Sequence, residues 1–123
     1  MKDIRLLNEP FVMCSVKDTP PFPDPYTFIV SMPDSLMMIC PESAFGDSAM
    51  YEPYSCFCVR EYCREDILSS VTEFSASLEK EHISCTTIMI DYDAYFFVDS
   101  ACAMDVVMLL ARMGYDVIYS DIN

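Results

Sequence analysis

Glycine is nearly absent: Gly46 and Gly114 are the only two in 123 residues. That excludes the glycine-rich loops that cradle phosphates, and with them phosphate-loop and dinucleotide chemistry. Basic side chains are scarce as well, seven Lys and Arg against 20 Asp and Glu, for a formal net charge of -13. A field of that sign repels nucleic-acid backbones and anionic membranes, so neither is an expected partner, whereas encounter with a basic protein surface is speeded. No apolar run reaches the length of a bilayer crossing, and Asp3, Arg5 and Glu9 interrupt the N-terminal stretch where a signal peptide would need an unbroken core. The expected setting is therefore intracellular, in the cytoplasm. Proline disappears after Pro53, which separates a stretch that cannot hold long helices from one that can.

Apolar residues, by contrast, are abundant at 53%, enough to bury a core in a chain of this size without metal or disulfide support. One domain over 1–123 is expected, since no Gly/Ser-rich linker divides it. The seven cysteines, Cys14, Cys40, Cys56, Cys58, Cys63, Cys85 and Cys102, are odd in number and fall mostly within apolar runs. They are expected to be reduced thiols packed as small hydrophobes.

Before Pro53 the apolar runs Phe11 to Val16, Tyr26 to Met32 and Leu36 to Cys40 have strand length. Met32-Pro33-Asp34-Ser35 reads as the turn joining the last two, and Thr19 to Pro25 as an extended, semi-rigid loop. Beyond it, Tyr54 to Arg60 predicts a strand and Arg64 to Lys80 a helix, with Ile67, Leu68, Val71, Phe74 and Leu78 on one stripe. Glu65 and Asp66 suit the positive end of that helix. Ile83 to Ile90 and Ala94 to Val98 predict a hairpin turning at Asp91-Tyr92-Asp93. Asp99 or Ser100 can cap a second helix running to about Met113, Gly114 closes it, and Tyr115 to Ser120 forms a last strand. This order predicts an α+β fold, a ferredoxin-like βαββαβ sandwich over 54–121. The proline-rich 1–53 would be a β extension that widens the sheet or lies across its other face. The second helix has only Asp105 and Arg112 as charged positions, which predicts burial on more than one side, against the N-terminal segment or in a homodimer.

Cys56-Phe57-Cys58, with Cys63, His82 and Cys85, offers the soft ligands that zinc takes. Structural zinc sites, however, wrap the ion with ligands paired on a tight knuckle, whereas Cys56 and Cys58 fall in a predicted strand where both can be ordinary core residues, so no metal or cofactor is expected. His82 is the sole imidazole base for a thiol nucleophile, and its place at a helix end suits a dipole partner on the surface better. The chain is therefore expected not to be an enzyme. Asp91 and Asp93 flank Tyr92, and Asp99 follows; such carboxylates can hold a hard cation or transfer protons, but hairpin turns favour aspartate for local hydrogen bonding.

Ala94-Tyr95-Phe96-Phe97-Val98 resembles the aromatic third strand of the RNA recognition motif, which implies the same element order. It lacks that motif's basic residue and glycine, and Asp93 and Asp99 flank the aromatics where phosphates would lie, so RNA binding is not expected with it. Exposed aromatics, Tyr51, Tyr54, Tyr62 and Tyr92 among them, can anchor a protein interface instead. The candidate partner-binding residues are Asp91, Tyr92, Asp93, Tyr95 and Asp99.

Two readings follow. In the first the chain is a non-catalytic inhibitor that docks on a basic, nucleic-acid-handling protein; it is similar in profile to the small acidic inhibitors of phages and mobile elements, anti-CRISPR proteins and DNA mimics among them. In the second it is a dimeric small-ligand-binding regulatory domain, similar in element order to ACT-type domains.

Overall fold

The computed structural model describes residues 2–16, 26–44 and 52–121. The loop expected at Thr19 to Pro25, and Tyr51, lie outside the described residues. Among those described, eight strands make one mixed sheet: β1 (Lys2–Leu7), β2 (Phe11–Val16), β3 (Phe28–Ser31), β4 (Leu36–Pro41), β5 (Tyr54–Arg60), β6 (Cys85–Ile90), β7 (Asp93–Asp99) and β8 (Tyr115–Ser120). Two helices, α1 (Arg64–Lys80) and α2 (Ala103–Arg112), follow β5 and β7.

Local chemistry accounts for most of these boundaries. Period-two alternation in β5 sends Phe57 and Val59 into one core and Cys56 into another. The hairpin β3–β4 closes where expected, the Met32 N–H donating to the Ser35 carbonyl at 2.8 Å. Helix α1 stops where His82 takes a left-handed φ of 59° and its N–H bonds the Glu79 carbonyl at 3.0 Å. Gly114 does the same for α2 with a φ of 91°, a conformation that side-chain-bearing residues rarely adopt. Asp99 caps a short 3-10 turn at Ser100–Cys102 by accepting from the Ala101 N–H at 3.0 Å, and α2 begins directly after it.

The pairing corrects the expected βαββαβ sandwich. In that arrangement the last strand lies beside the first, but here β8 does not pair with β5. Strand β1 is inserted between them, antiparallel to β5 (Arg5 opposite Cys58) and parallel to β8 from Lys2–Tyr115 to Leu7–Ser120. The fold is thus an α+β mixed sheet with two helices, built around a strand that the sequence reading passed over.

On the helix side, Ile67, Phe74 and Leu78 of α1 and Val106, Leu109 and Leu110 of α2 pack on Phe57, Val59, Phe96 and Val98. Phe74 is central, 4.1 Å between ring centroids from Phe96 and 6.4 Å from Phe57. Leu68, placed on the buried stripe by periodicity, is 45% exposed, and Ser70 is buried in its stead. Ser70 fits because its hydroxyl donates to Glu61 at 3.1 Å and receives from Lys2 at 3.4 Å.

The opposite side is covered by the β2–β4–β3 meander, which curls across it. Phe28 and Phe11 reach Phe97 at 5.7 and 5.4 Å, and Phe28 meets Tyr95 at 4.9 Å. Of the N-terminal strands, the expected β2, β3 and β4 lie across the other face through these ring contacts, while the unexpected β1 is inserted within the sheet.

Within the single chain, the N-terminal segment does not cover the outer side of helix α2. Met104 and Met108 are 61% and 63% exposed, and only the face carrying Val106, Leu109 and Leu110 is buried. Among the described residues, no helix is long and apolar enough to cross a membrane.

Candidate functional site

Strand β5 organises a concavity among the described residues. One of its edges pairs with β7 along the full length, from Tyr54–Asp99 to Arg60–Asp93. The other edge is shared: β1 takes Phe57 and Cys58, and β2 takes Tyr54 opposite Phe11. Between them the chain leaves the sheet through Asn8, Glu9 and Pro10, where proline has no N–H to offer a ladder. The sheet forks at that point.

The corner is pinned rather than loose. The Asn8 N–H donates to the Ser120 carbonyl at 2.8 Å, the Glu42 N–H to the Pro10 carbonyl at 2.9 Å, and the Ser43 N–H to Glu9 Oε1 at 2.7 Å. Asn8 Nδ2 also donates to Asp121 Oδ1 at 2.8 Å.

A pocket of about 530 Å³ opens in the fork, within the range of small-molecule sites. Its floor is apolar: Leu6, Leu7 and Val12 are buried and come from three separate core clusters that meet here. Glu9 and Glu42 form one wall, and Ser55 and Ser100 form another, their hydroxyls 2.9 Å apart. Tyr119, 58% exposed, stands at the rim. Among the described residues, no Lys, Arg or His lines it. The sequence reading missed this site because its walls come from five segments far apart in the chain. The one local sign was the turn-forming Asn8-Glu9-Pro10 between two apolar runs.

The candidate partner-binding residues do not form one surface. Asp91 and Tyr92 sit exposed at the β6–β7 turn, Asp91 with a left-handed φ of 53°. Asp93 is drawn into a two-pronged ion pair with Arg60, whose Nε and Nη2 donate at 2.8 and 3.2 Å. Tyr95 is half-buried against Phe28 and Tyr26, and burial pushes its phenol up to about 12. Asp99 serves as a cap at the far end of β7, about 20 Å from Asp93 at strand rise. Only Asp91 and Tyr92 share a depression, of about 380 Å³, with Arg64, Leu68 and Met89. Of the other tyrosines, Tyr62 is exposed and Tyr54 half-buried.

None of the seven cysteines is in a disulfide; Cys14, Cys40, Cys56 and Cys58 are buried, Cys85 and Cys102 half-buried and Cys63 exposed. Burial drives the Cys56 thiol well up, and Cys58 up as well, although Arg5 Nη2 lies 3.5 Å from its sulfur and works the other way. A nucleophilic thiol needs the opposite shift. His82 is exposed and lines a shallow groove with Cys85. Among the described residues, no three His, Cys, Asp or Glu side chains converge on a point where an ion could sit.

Comparison with known proteins bears on the fold. No protein-family model matches the sequence, and no curated protein sequence matches it. The structure is similar to that of the Agobacterium tumefaciens protein Atu0741, with a TM-score of 0.81 at 17% identity over 97% of this chain and 93% of that one. It is also similar to the Vibrio cholerae protein VC0802, described as of unknown function and a possible transport protein, with a TM-score of 0.66 at 16% identity over 87% and 85% of the two chains.

Proposed function

We propose that this protein is a small-molecule-binding domain that performs no chemistry on its ligand. The observation that carries the reading is the pocket of about 530 Å³ at the β1–β2 fork, with an apolar floor and convergent polar walls. Its corner is held by four hydrogen bonds from backbone and side chain, so little ordering is required when a ligand enters. The order β5-α1-β6-β7-α2-β8 is also that of a ferredoxin-like ligand-binding unit of ACT type, here with β1 added between its first and last strands.

The test is a small-molecule screen by amide NMR and thermal shift. A ligand of this site moves the amide signals of Asn8, Ser55 and Ser100 and raises stability by about 2.7 kcal/mol at a hundredfold excess over Kd. Ser100→Phe, which fills the pocket, should abolish the effect. Ligands that stabilise the protein while leaving those signals still would overturn the assignment.

A second reading, an acidic module docking on a basic protein, draws on the exposed cluster of Asp91, Tyr92, Leu68 and Met89. It predicts association that weakens steeply with salt and slows on Asp91→Lys but not on Asp99→Asn. Insensitivity to salt and to Asp91→Lys would rule it out.

A further inference from the structure

We infer that β6 pairs edge to edge with β6 of a second copy of this chain, joining the two sheets about a two-fold axis. The inference is independent of the fork pocket, to whose lining neither β6 nor α1 contributes. It starts from the character of the edge. Strand β6 pairs with β7 along its whole length, and among the described residues no strand takes its other side. Open edges are normally blunted by charge, proline or shortness. Strand β6 has none of these: Cys-Thr-Thr-Ile-Met-Ile is six residues long, uncharged and mostly β-branched. The open edges of β8 and β3 are blunted, the first by Asp116 and the second by being four residues long. In a chain carrying a net charge of -13, β6 is the long edge at which two copies meet with least repulsion.

Apolar side chains lie open beside it: Met89 and Ile90 of β6 and Leu68 of α1 are 39%, 48% and 45% exposed. The seam is also self-complementary, as a two-fold contact requires, since each residue that meets another is met by it in turn. Helix α1 runs beside β6 in the opposite direction. Arg64 and Leu68 border Met89 at one end of the seam, and Ser75 and Glu79 border Cys85 and Thr87 at the other. Antiparallel pairing centred on Thr87 sets Cys85 opposite Met89 of the second copy. It lays the two α1 helices antiparallel across the axis, where the stripe at positions 64, 68, 75 and 79 matches its own reverse. Arg64 then faces Glu79 of the second copy and Leu68 faces its Ser75, so within the stripe opposite charges meet twice. A second copy and a basic protein would both cover Leu68 and Met89, and salt separates them.

Sedimentation velocity over a dilution series, with amide hydrogen exchange at the two ends of that series, tests the inference on the unaltered chain. A monomer–dimer equilibrium is expected whose dissociation constant holds or falls as salt is raised, because screening relieves the repulsion between two acidic copies. The β6 amides should exchange more slowly in the dimer, and those of β3 and β8 at the monomer's rate. Thr86→Asp, at an exposed position, should weaken the dimer at least about tenfold by setting like charges in the seam. Arg64→Glu should weaken it about threefold, and Arg64→Glu/Glu79→Arg should restore it. That exchange also suits the helix dipole, and it decides the matter if Thr86→Asp does not fold. A monomer at every concentration, a dimer whose β6 amides exchange as in the monomer, or one that dissolves as salt rises would overturn the inference. So would a basic protein that covers the same seam while the chain stays monomeric.

Discussion

The two faces of the central sheet are held by different means. The helix face is a continuous apolar layer in which two amphipathic helices lay regular stripes on Phe57, Val59 and Phe96. The meander face is a set of ring contacts, Phe11, Phe28 and Tyr26 against Phe97 and Tyr95, mixed with thiols and an ion pair between Arg60 and Asp93. The first depends on local periodicity; the second depends on a few large side chains brought together by chain reversal. Where the two layers separate, at the β1–β2 fork, a sizeable pocket forms with an apolar floor.

Adjacent residues of β7 probe this contrast most directly. Phe96 and Phe97 are both essentially buried but face opposite ways. Phe96→Ala, which empties the space beside Phe74, should cost about 4 kcal/mol in urea unfolding and accelerate amide exchange in α1. Phe97→Ala should cost about 3 kcal/mol and release the β2–β4 meander before the helices. If the second variant loosened the helices as fast as the meander, the two faces would be one cooperative unit.

Ser70 is the polar exception on the helix face. Ser70→Ala removes the partner of Glu61 and Lys2 and should lower stability by about 1 kcal/mol in the same assay.

The alkaline limb tests the meander face. Because Tyr95 is raised from the usual 10.0 to about 12, the folded state favours the neutral phenol. Its contribution is complete below pH 10 and is lost as pH rises toward about 12. The raised thiols of Cys56 and Cys58 act in the same direction from near 9.0 upward. Urea midpoints should therefore fall with pH above 9.0, and Tyr95→Phe should flatten only the part beyond 10.0. The smallest effect belongs to Leu68→Ala, under about 0.5 kcal/mol, since that side chain is exposed despite its place in the periodic stripe.

The same contrast explains what could be read from sequence. Tyr54–Arg60, Arg64–Lys80 and Tyr115–Ser120 were expected with the boundaries they have, because alternation, first-turn acids and a closing Gly114 are local signals. Strand β1 carries a local signal too, Asp3 and Arg5 alternating with the buried Ile4 and Leu6, but one too short to stand out beside the charged ends of the stretch. Its place between β5 and β8 is a matter of long-range pairing that no local pattern records. Helix α2 misled in the other direction: Met104 and Met108 look like core residues by type but are exposed. The fork pocket had no motif because it is a gap between pairings.

The insertion of β1 also constrains the order in which the chain can assemble. Asn8 bonds Asp121 at a separation of 113 residues, and β8 reaches the sheet only through β1. Closing so long a loop costs entropy before any contact rewards it. During synthesis β1 can pair with β5 well before β8 emerges, and the wall of the pocket formed by Tyr119 is among the last parts to be set in place.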